Sequence, residues 1–458
     1  MVVTNIVRLS DLEGAKRIDS EYYRKDFLDL RGIIQKSQFK VIKLGNIIEK
    51  GYRVVYWSTK IIPRQEMMDK DVFFLQAANL DEAFPFIRAE DMGGVWHKDW
   101  EEYPDGRIIP RELLVEVKGK AEKVTLVPDD FPRKTLVSGS LYKLSVRPDI
   151  EPEYVLVYLL TKFGKGFRDR LKTNLLVAFV NKKDLHNIPI VILSPESRKK
   201  VKELYLSAYG EFKKSKNLYF QAENLLLEKL GLRNFKLNYE LSYTANLSKA
   251  FEVHRIDSEY FQPIYEETIK QIGNKFKIEK LGKLSSRIRI KMKPDSEQIY
   301  KYIEISDVST DVGEIHYTER VGNQLPPNAR IPINGGELII SKVRPTRGAI
   351  GIIPKELNKN VICSSAFSVF TTKSPMIEYL YVVTRSLVGK LQMERPTTGT
   401  SYPTINDSDI ETMIIPILSP GTQKEIASLV QLSCVARKKA TKLLEVAKRK
   451  IEDTIENV

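Results

Sequence analysis

Cysteine and histidine are scarce in this sequence. Its 458 residues hold two cysteines, Cys363 and Cys434, and four histidines, His97, His186, His254 and His316. Neither cysteine has a close Cys or His neighbour, which excludes a disulfide framework and a zinc site as organising features. Histidines that stand singly offer no His-based metal centre, so no metal site is expected. Long apolar runs are also missing: the longest are short and interrupted by charge, and none is expected to span a bilayer. The opening residues, MVVTNIVRLSDLEG, lack the charged start and extended apolar core of a secretory signal. A cytoplasmic protein without membrane contact is the expectation.

Positive charge is in excess. Lys and Arg number 73 against 59 Asp and Glu, leaving a net charge of +14 and a pI near 9.3, which points to a polyanionic partner. With 42% apolar and 29% charged residues, the composition is that of a folded globular protein. The length suits about two to four domains. Charge alone does not select nucleic acid, so the arrangement of residues has to decide.

That arrangement is duplicated. KRIDSEYY runs from Lys16 to Tyr23, and HRIDSEYF from His254 to Phe261. FKVIKLG at Phe39–Gly45 is answered by FKIEKLG at Phe276–Gly282, and IVILSP at Ile190–Pro195 by IPILSP at Ile415–Pro420. The offset is 238 at the two aspartates (257 − 19) and 225 at the two prolines (420 − 195). A drift of that size needs only a few loop insertions, so the repeat unit is a whole domain rather than a solenoid turn.

Each half divides into the same two parts. The first is rich in short strands and turns, such as Val72–Asn79 and Leu113–Lys118, matched by Tyr300–Ser306 and Glu337–Arg344. The second is a long amphipathic stretch. After Ser194-Pro195 apolar residues recur at helical spacing at Val201, Leu204, Ala208, Phe212, Leu218, Ala222, Leu225, Leu226 and Leu230. After Ser419-Pro420 they recur at Ile426, Leu429, Ala436, Ala440, Leu443, Ala447 and Ile451. Ser as cap with Pro at the first helical position is a start signal, and Gly231 ends the first helix. A helix this long with one narrow apolar stripe needs a long partner, and the other copy is the obvious one. About 35 residues at 1.5 Å rise make a rod of roughly 50 Å. Two heads held at fixed separation are what reading two DNA patches about one helical turn apart requires. Because the halves have diverged, the expected target is bipartite and asymmetric.

Local phrases carry a resemblance. Gly336–Arg344 reads GELIISKVR, with a first-half version around Leu113 to Val127. Gly399–Ile405 reads GTSYPTI, followed by Asp409-Ile410 and then IPILSP. These phrases and the duplicated layout make the chain resemble, over essentially its whole length, the specificity subunits of type I restriction-modification enzymes. The first half departs from the pattern, with NLLVAFVN at Asn174–Asn181 where the GTSYP phrase would stand. The resemblance implies an α+β fold in which two related α/β target-recognition domains are separated by two long helices forming an antiparallel coiled coil with pseudo-two-fold symmetry. The expected divisions are 1–193 and 233–418 for the domains, the latter with a linker at 233–253, and 194–232 and 419–458 for the helices. It also implies a non-catalytic subunit that binds double-stranded DNA and docks two methyltransferase subunits, with restriction and translocase subunits joining. No cofactor is expected on this chain; S-adenosylmethionine, Mg²⁺ and ATP would belong to partners.

Two rival readings come from other classes. In the first, Asp105, Glu116 and Lys118 fit a loose nuclease pattern of two carboxylates on Mg²⁺ with a lysine beside the attacking water. The second copy has Ser341-Lys342-Val343 near that position, which could hold no metal. The other rival is a coiled-coil scaffold with basic modules that bind DNA without sequence preference. An amino-methyltransferase would need an Asn/Asp-Pro-Pro-aromatic motif, and the only Pro-Pro, in Leu325-Pro-Pro-Asn328, has the wrong neighbours on both sides.

Direct readout needs Arg, Lys, Asn or Gln at base edges, with further cations and hydroxyls on phosphates. The candidates in the second head are Lys342, Arg344, Arg347, Arg395, Thr400, Ser401 and Tyr402. In the first they are Lys118, Lys120, Lys123, Arg170, Lys172 and Asn174, with Gln76 and Asn79 as base readers. The repeated octamer is expected to fold or dock rather than read bases. Heads that read different words should differ where they touch bases and agree elsewhere. Its structural reading is a helix start, capped by Asp19 or Asp257, with Tyr22 or Tyr260 in the core.

Overall fold

In the computed structural model, residues 6–8, 17–56, 59–68, 71–81, 84–132, 134–173, 177–233, 235, 239–399 and 401–457 are described. Two compact units emerge, Met1–Phe212 with Lys438–Val458, and Lys213–Arg437. Both boundaries fall inside the long helices Pro195–Leu230 and Pro420–Glu456. The 233–253 stretch, read from sequence as a linker, contains a helix at Leu247–Val253 capped by Asn246.

In the first unit a four-stranded antiparallel sheet is ordered Ile48–Tyr52, Leu141–Val146, Leu113–Glu116, Val124–Leu126. All four residues of Leu113–Glu116 are buried. The three consecutive apolar side chains Leu113, Leu114 and Val115 suit a central strand covered on both faces rather than one with a wet side. A second sheet pairs Val72–Leu75 antiparallel with Gly93–Val95 and parallel with Thr135–Val137. Lys40–Lys43 pairs with Pro189–Ile192, and the buried helix Pro152–Leu160 is tied to that ribbon by Tyr154, whose hydroxyl donates to the Val191 carbonyl at 2.5 Å.

The second unit repeats this topology. Ser286–Arg287, Phe367–Thr371, Leu338–Ser341 and Ile350–Ile352 form its first sheet in the matching order. The second sheet again carries a parallel pair, Ile299–Ile303 with Val361–Ser364, and gains Ala329–Ile333 at an edge. Tyr379 repeats the tie, donating to the Pro416 carbonyl at 2.6 Å. The duplication of sequence is therefore a duplication of fold.

Both long helices start as their sequence predicts. The Ser194 hydroxyl accepts from Ser197 N at 3.3 Å, and the Ser419 hydroxyl from Thr422 N at 3.3 Å. Gly231 closes the first helix at φ +72°, a left-handed position that favours glycine.

Within each unit the two helices share a core. In the first, Val201, Ala208 and Phe212 lie in one apolar cluster with Ala440, Ala447 and Ile451, with Leu204 and Leu443 packed against it. In the second, Ala222, Leu226 and Leu230 cluster with Ile426 and Val430, with Leu225 and Leu429 alongside. Leu218 is half-buried and Ala436 is buried. The second unit also contains a polar layer. Ser433 donates to the Ser215 carbonyl at 2.8 Å, and the buried Arg437 donates to the Ser215 hydroxyl at 2.9 Å. Ser215 thus meets Ser433 and Arg437, while the later residues Ala222 to Leu230 share a core with the earlier Ile426 and Val430, the antiparallel sense.

A tip of each head lands on these helices. In the first unit Phe84 stacks on Phe212 at 4.3 Å. In the second unit Asp311 pairs with Lys216 at 3.1 Å, and the Val312 carbonyl accepts from Arg437 at 3.3 Å. No helix among the described residues is long and apolar enough to cross a membrane.

Candidate nucleic-acid interface

The repeated octamer builds the same tight turn in both heads. Arg17 grips Asp19 through Nε and Nη2, at 2.7 and 2.9 Å, and also donates to the carbonyls of Leu171 and Lys172. Arg255 holds Asp257 at 2.8 and 2.6 Å and reaches the carbonyls of Pro396 and Thr397. The fork lowers the pKa of each aspartate from its ordinary value, the hydrogen bond from its arginine being the main cause. Asp19 also caps, accepting from Tyr22 N at 3.1 Å. At each turn two guanidinium groups contact the tyrosine ring: Arg17 at 4.7 Å and Arg170 at 4.0 Å for Tyr22, and Arg255 at 4.5 Å and Arg395 at 4.7 Å for Tyr260.

Arg170 and Arg395, two of the candidates for DNA contact, both hold the octamer. Arg170 is buried and donates to the Tyr22 carbonyl at 2.8 Å. Arg395 donates to the Tyr260 carbonyl at 3.3 Å and pairs with Glu266 at 3.0 Å.

The remaining candidates sort by exposure. Asn79 is buried and its side-chain oxygen accepts from Gln76 N at 2.9 Å, so this pair closes a cap instead of facing outward. Lys123 donates to the carbonyls of Ala77 and Leu80. Lys172 pairs with Asp169 and Glu122, and Lys342 with Asp407 at 3.3 Å. Asn174 and Thr400 lie outside the described residues. Exposed on the first head are Lys118 and Lys120; on the second are Arg347, Ser401 and Tyr402. Glu116, offered from sequence as a metal ligand, is buried and accepts from the backbone N–H groups of Lys120, Glu122 and Lys123. That carboxylate braces a loop.

One exposed group stands out in each head, at the end of the central strand. In the second head Arg344 N donates to the Pro403 carbonyl at 2.7 Å, Ile405 N to the Lys342 carbonyl, and Val343 bridges Thr404. The Arg344 side chain donates to the Ser401 carbonyl at 2.9 Å and covers the Tyr402 ring at 4.4 Å. Tyr402 is 68% exposed. In the first head Lys118–Gly119 pairs with Ala178–Phe179 in the same manner, and Val180 N donates to the Val117 carbonyl. Every one of these positions is displaced by 225 (344 − 119, 403 − 178, 405 − 180). The departure of NLLVAFVN from GTSYPTI is thus a change of side chains on one backbone design. Arg344 and Tyr402 correspond to Gly119 and Val177, the latter 49% exposed. Sequence inspection missed Arg53, which sits over Phe179 at 5.1 Å and anchors on the Gly139 carbonyl at 2.7 Å. No signal short of the paired loops would have found it.

No family model matches the chain, and no curated protein matches it in sequence. Among solved structures it is similar to a type I restriction-modification S subunit from M. genitalium, at 12% identity and a TM-score of 0.40, over 92% of this chain and 96% of that one. It is also similar to an HsdS subunit from Thermoanaerobacter tengcongensis, at 12% identity and a TM-score of 0.29, over 91% and 96%.

Proposed function

We propose that this chain is a DNA-reading specificity subunit of a restriction-modification system, each head reading one word of a bipartite, asymmetric target in double-stranded DNA. The observation that carries the reading is the pair of strand-end loops. Their backbones match position for position, while the exposed side chains differ: an arginine stacked on an exposed tyrosine in one head, a glycine and a valine with nearby lysines in the other. A shared frame with divergent tips is what two readers of different words need. A net charge of +14 adds the sequence-independent attraction to phosphate.

In this reading the paired helices set the number of base pairs between the words. The chain itself is non-catalytic, and methyltransferase subunits, joined by restriction subunits, bring S-adenosylmethionine, Mg²⁺ and ATP. Glu116 supports this over the nuclease alternative, since three backbone N–H groups already occupy its carboxylate.

Base-resolution mapping of methylated DNA in the source cell, with and without this gene, tests the reading. A split motif that vanishes on deletion is expected, and a motif that persists unchanged overturns it. Competition between target and random duplex over a salt series separates a sequence reader from a nonspecific basic scaffold, which keeps no preference at any salt.

A further inference from the structure

The edge strand that distinguishes the second head brings charge with it. Ala329–Ile333 pairs there with Val361–Ser364, whereas among the described residues of the first head a single bridge, Arg107 to Leu136, stands at the same edge. Pro332 pairs with Ile362 as Arg107 bridges Leu136, at an offset of 225 (332 − 107), so Arg330 falls on Asp105 (330 − 225). A second position changes in the same sense. Gly51 pairs with Leu144 and Arg287 with Phe370, and these are the partners of Leu113 and Leu338 in the two first sheets. The offset is then 236 (287 − 51), and Lys291 falls on Val55 (291 − 236). Where the first head has a valine and an aspartate, the second has two cations.

Those cations share one cleft. Lys291, Lys293 and Arg330 line a hollow of about 560 Å³, with Asn323 beside them and no carboxylate on its walls. All three are exposed. Among the described residues neither lysine pairs with a carboxylate, and Arg330 uses only Nε, which donates to the Pro327 carbonyl at 2.6 Å. The floor is firm: Met292 and Leu325 pack on the buried Tyr300, Tyr302, Ala329 and Ile362. Met292 N donates to the Arg330 carbonyl at 2.8 Å and so joins the two walls. Three cations held together without a counter-charge repel one another, and a bound anion turns that repulsion into attraction.

The backbone joins this cleft to the strand-end loop of the same head. Lys342, two residues before Arg344, donates its N–H to the Ala366 carbonyl at 2.8 Å, and Ser365 N donates to the Asn328 carbonyl at 2.7 Å. The Asn328 side chain also donates to the Ser364 hydroxyl at 3.0 Å. One turn, residues 364–366, therefore lies between the segment that carries Arg344 and the segment that carries Arg330. We propose that the cleft of Lys291, Lys293 and Arg330 seats a backbone phosphate of the duplex beside the word that the second head reads, an inference that rests on the function proposed above. The seat positions the duplex and reads no base. With Val55 and Asp105 in these places, the first head has no matching seat.

The test uses the full chain and target duplexes in which a neutral methylphosphonate replaces one phosphate at a time, once methylation mapping has supplied both words. The unsubstituted chain is expected to bind about 3-fold to 10-fold more weakly when the neutral link lies at the seat beside the second word. The triple variant Lys291→Gln, Lys293→Gln, Arg330→Gln is expected to lose that affinity equally for target and random duplex and to ignore the same neutral link. Its slope of log affinity against log salt should fall by about one. The three side chains are exposed, so the melting temperature should hold; the two lysine changes, which remove no described hydrogen bond, carry the same test if the triple variant fails to fold. A variant that keeps its affinity and slope, or that stays as sensitive to the neutral link as the unsubstituted chain, overturns the seat and leaves the DNA reading standing. Inorganic pyrophosphate that binds the chain but not the variant, with duplex binding unchanged, assigns the cleft to a free phosphate compound and overturns the DNA source. An unsubstituted chain with no preference for target over random duplex overturns the seat and the reading beneath it together.

Discussion

The Arg170 guanidinium lies 4.0 Å from the centre of the Tyr22 ring and donates to the carbonyl of the same residue. One side chain thus clamps both the ring and the backbone of a turn that lies 148 residues away in sequence. Arg395 repeats the contact on Tyr260 with a longer bond and more exposure. A buried charged hydrogen bond is worth about 1.5–3 kcal/mol, and a guanidinium on an aromatic face about 0.5–2. Arg170→Ala is therefore expected to lower the unfolding free energy by about 2–4 kcal/mol and Arg395→Ala by less, as read by urea denaturation. Equal, negligible losses would show that the clamps contribute nothing.

Arg385 gives a second, sharper case. It is buried, and its Nη atoms donate to the carbonyls of Gly348, Ile350, Thr310 and Asp311, while Nε donates to the Tyr219 hydroxyl at 3.1 Å. Arg385→Met keeps the volume but leaves four carbonyls without this donor. Leaving a buried acceptor unsatisfied costs about 1–3 kcal/mol, so a loss of at least that size is expected. The loss should be local at first, with faster amide exchange near Asp311, the loop that meets Lys216. Unchanged exchange there would contradict the bracing role.

Acid should weaken the protein in two steps. His186 shares a hydrogen bond with Tyr142 at 2.8 Å, and burial, aided by Lys182, lowers its pKa in the folded state. The unfolded chain then takes up the proton first, so stability falls as pH drops below about 6.5. The carboxylates follow. Asp19, Asp257 and Glu411 have depressed pKa values, chiefly through hydrogen bonds from Arg17, Arg255 and Arg287. Their contribution is fully present above the unfolded value of about 4 and is lost as pH falls through the lower folded values. Denaturant midpoints measured from pH 8 to pH 3 should show a shallow decline and then a steeper one. His186→Gln should remove the first step only.

How far these features were visible beforehand follows from what each residue is satisfied by. The helices were legible because Val201 to Ile451 repeat at helical spacing and Ser194 and Ser419 are local caps whose partners lie three residues on. Ser215, Ser433 and Arg437 were not, since a polar side chain in an apolar stripe looks exposed until its partner, about 218 positions away, is known. The same blindness affected the cations. Arg170 and Lys118 have similar surroundings in sequence, yet one is buried under a tyrosine and the other faces solvent. Only the duplication itself crossed that distance, because matching offsets carry information about three-dimensional equivalence.

Arg344 adopts φ +48°, a left-handed conformation that is unfavourable for any residue with a Cβ, and its counterpart in the first head is Gly119 at φ +123°. The second head thus keeps an arginine where the backbone favours glycine, and such strain clusters at working positions. This guanidinium is stacked on the exposed Tyr402 and anchored to the Ser401 carbonyl, and the proposed function assigns it to DNA contact. Arg344→Gly should therefore raise stability by about 0.5–1 kcal/mol while weakening target binding by about 1–3 kcal/mol, roughly 10-fold to 100-fold. The weakening should be confined to one word of the split target. If the arginine reads a base, discrimination at one position of that word relaxes; if it holds a phosphate, affinity falls for all sequences and the salt slope drops by about one. Competition binding with duplexes varied in each word separately would distinguish these outcomes. A variant that is more stable and binds both words as before would show that the strain at Arg344 has no role in DNA reading.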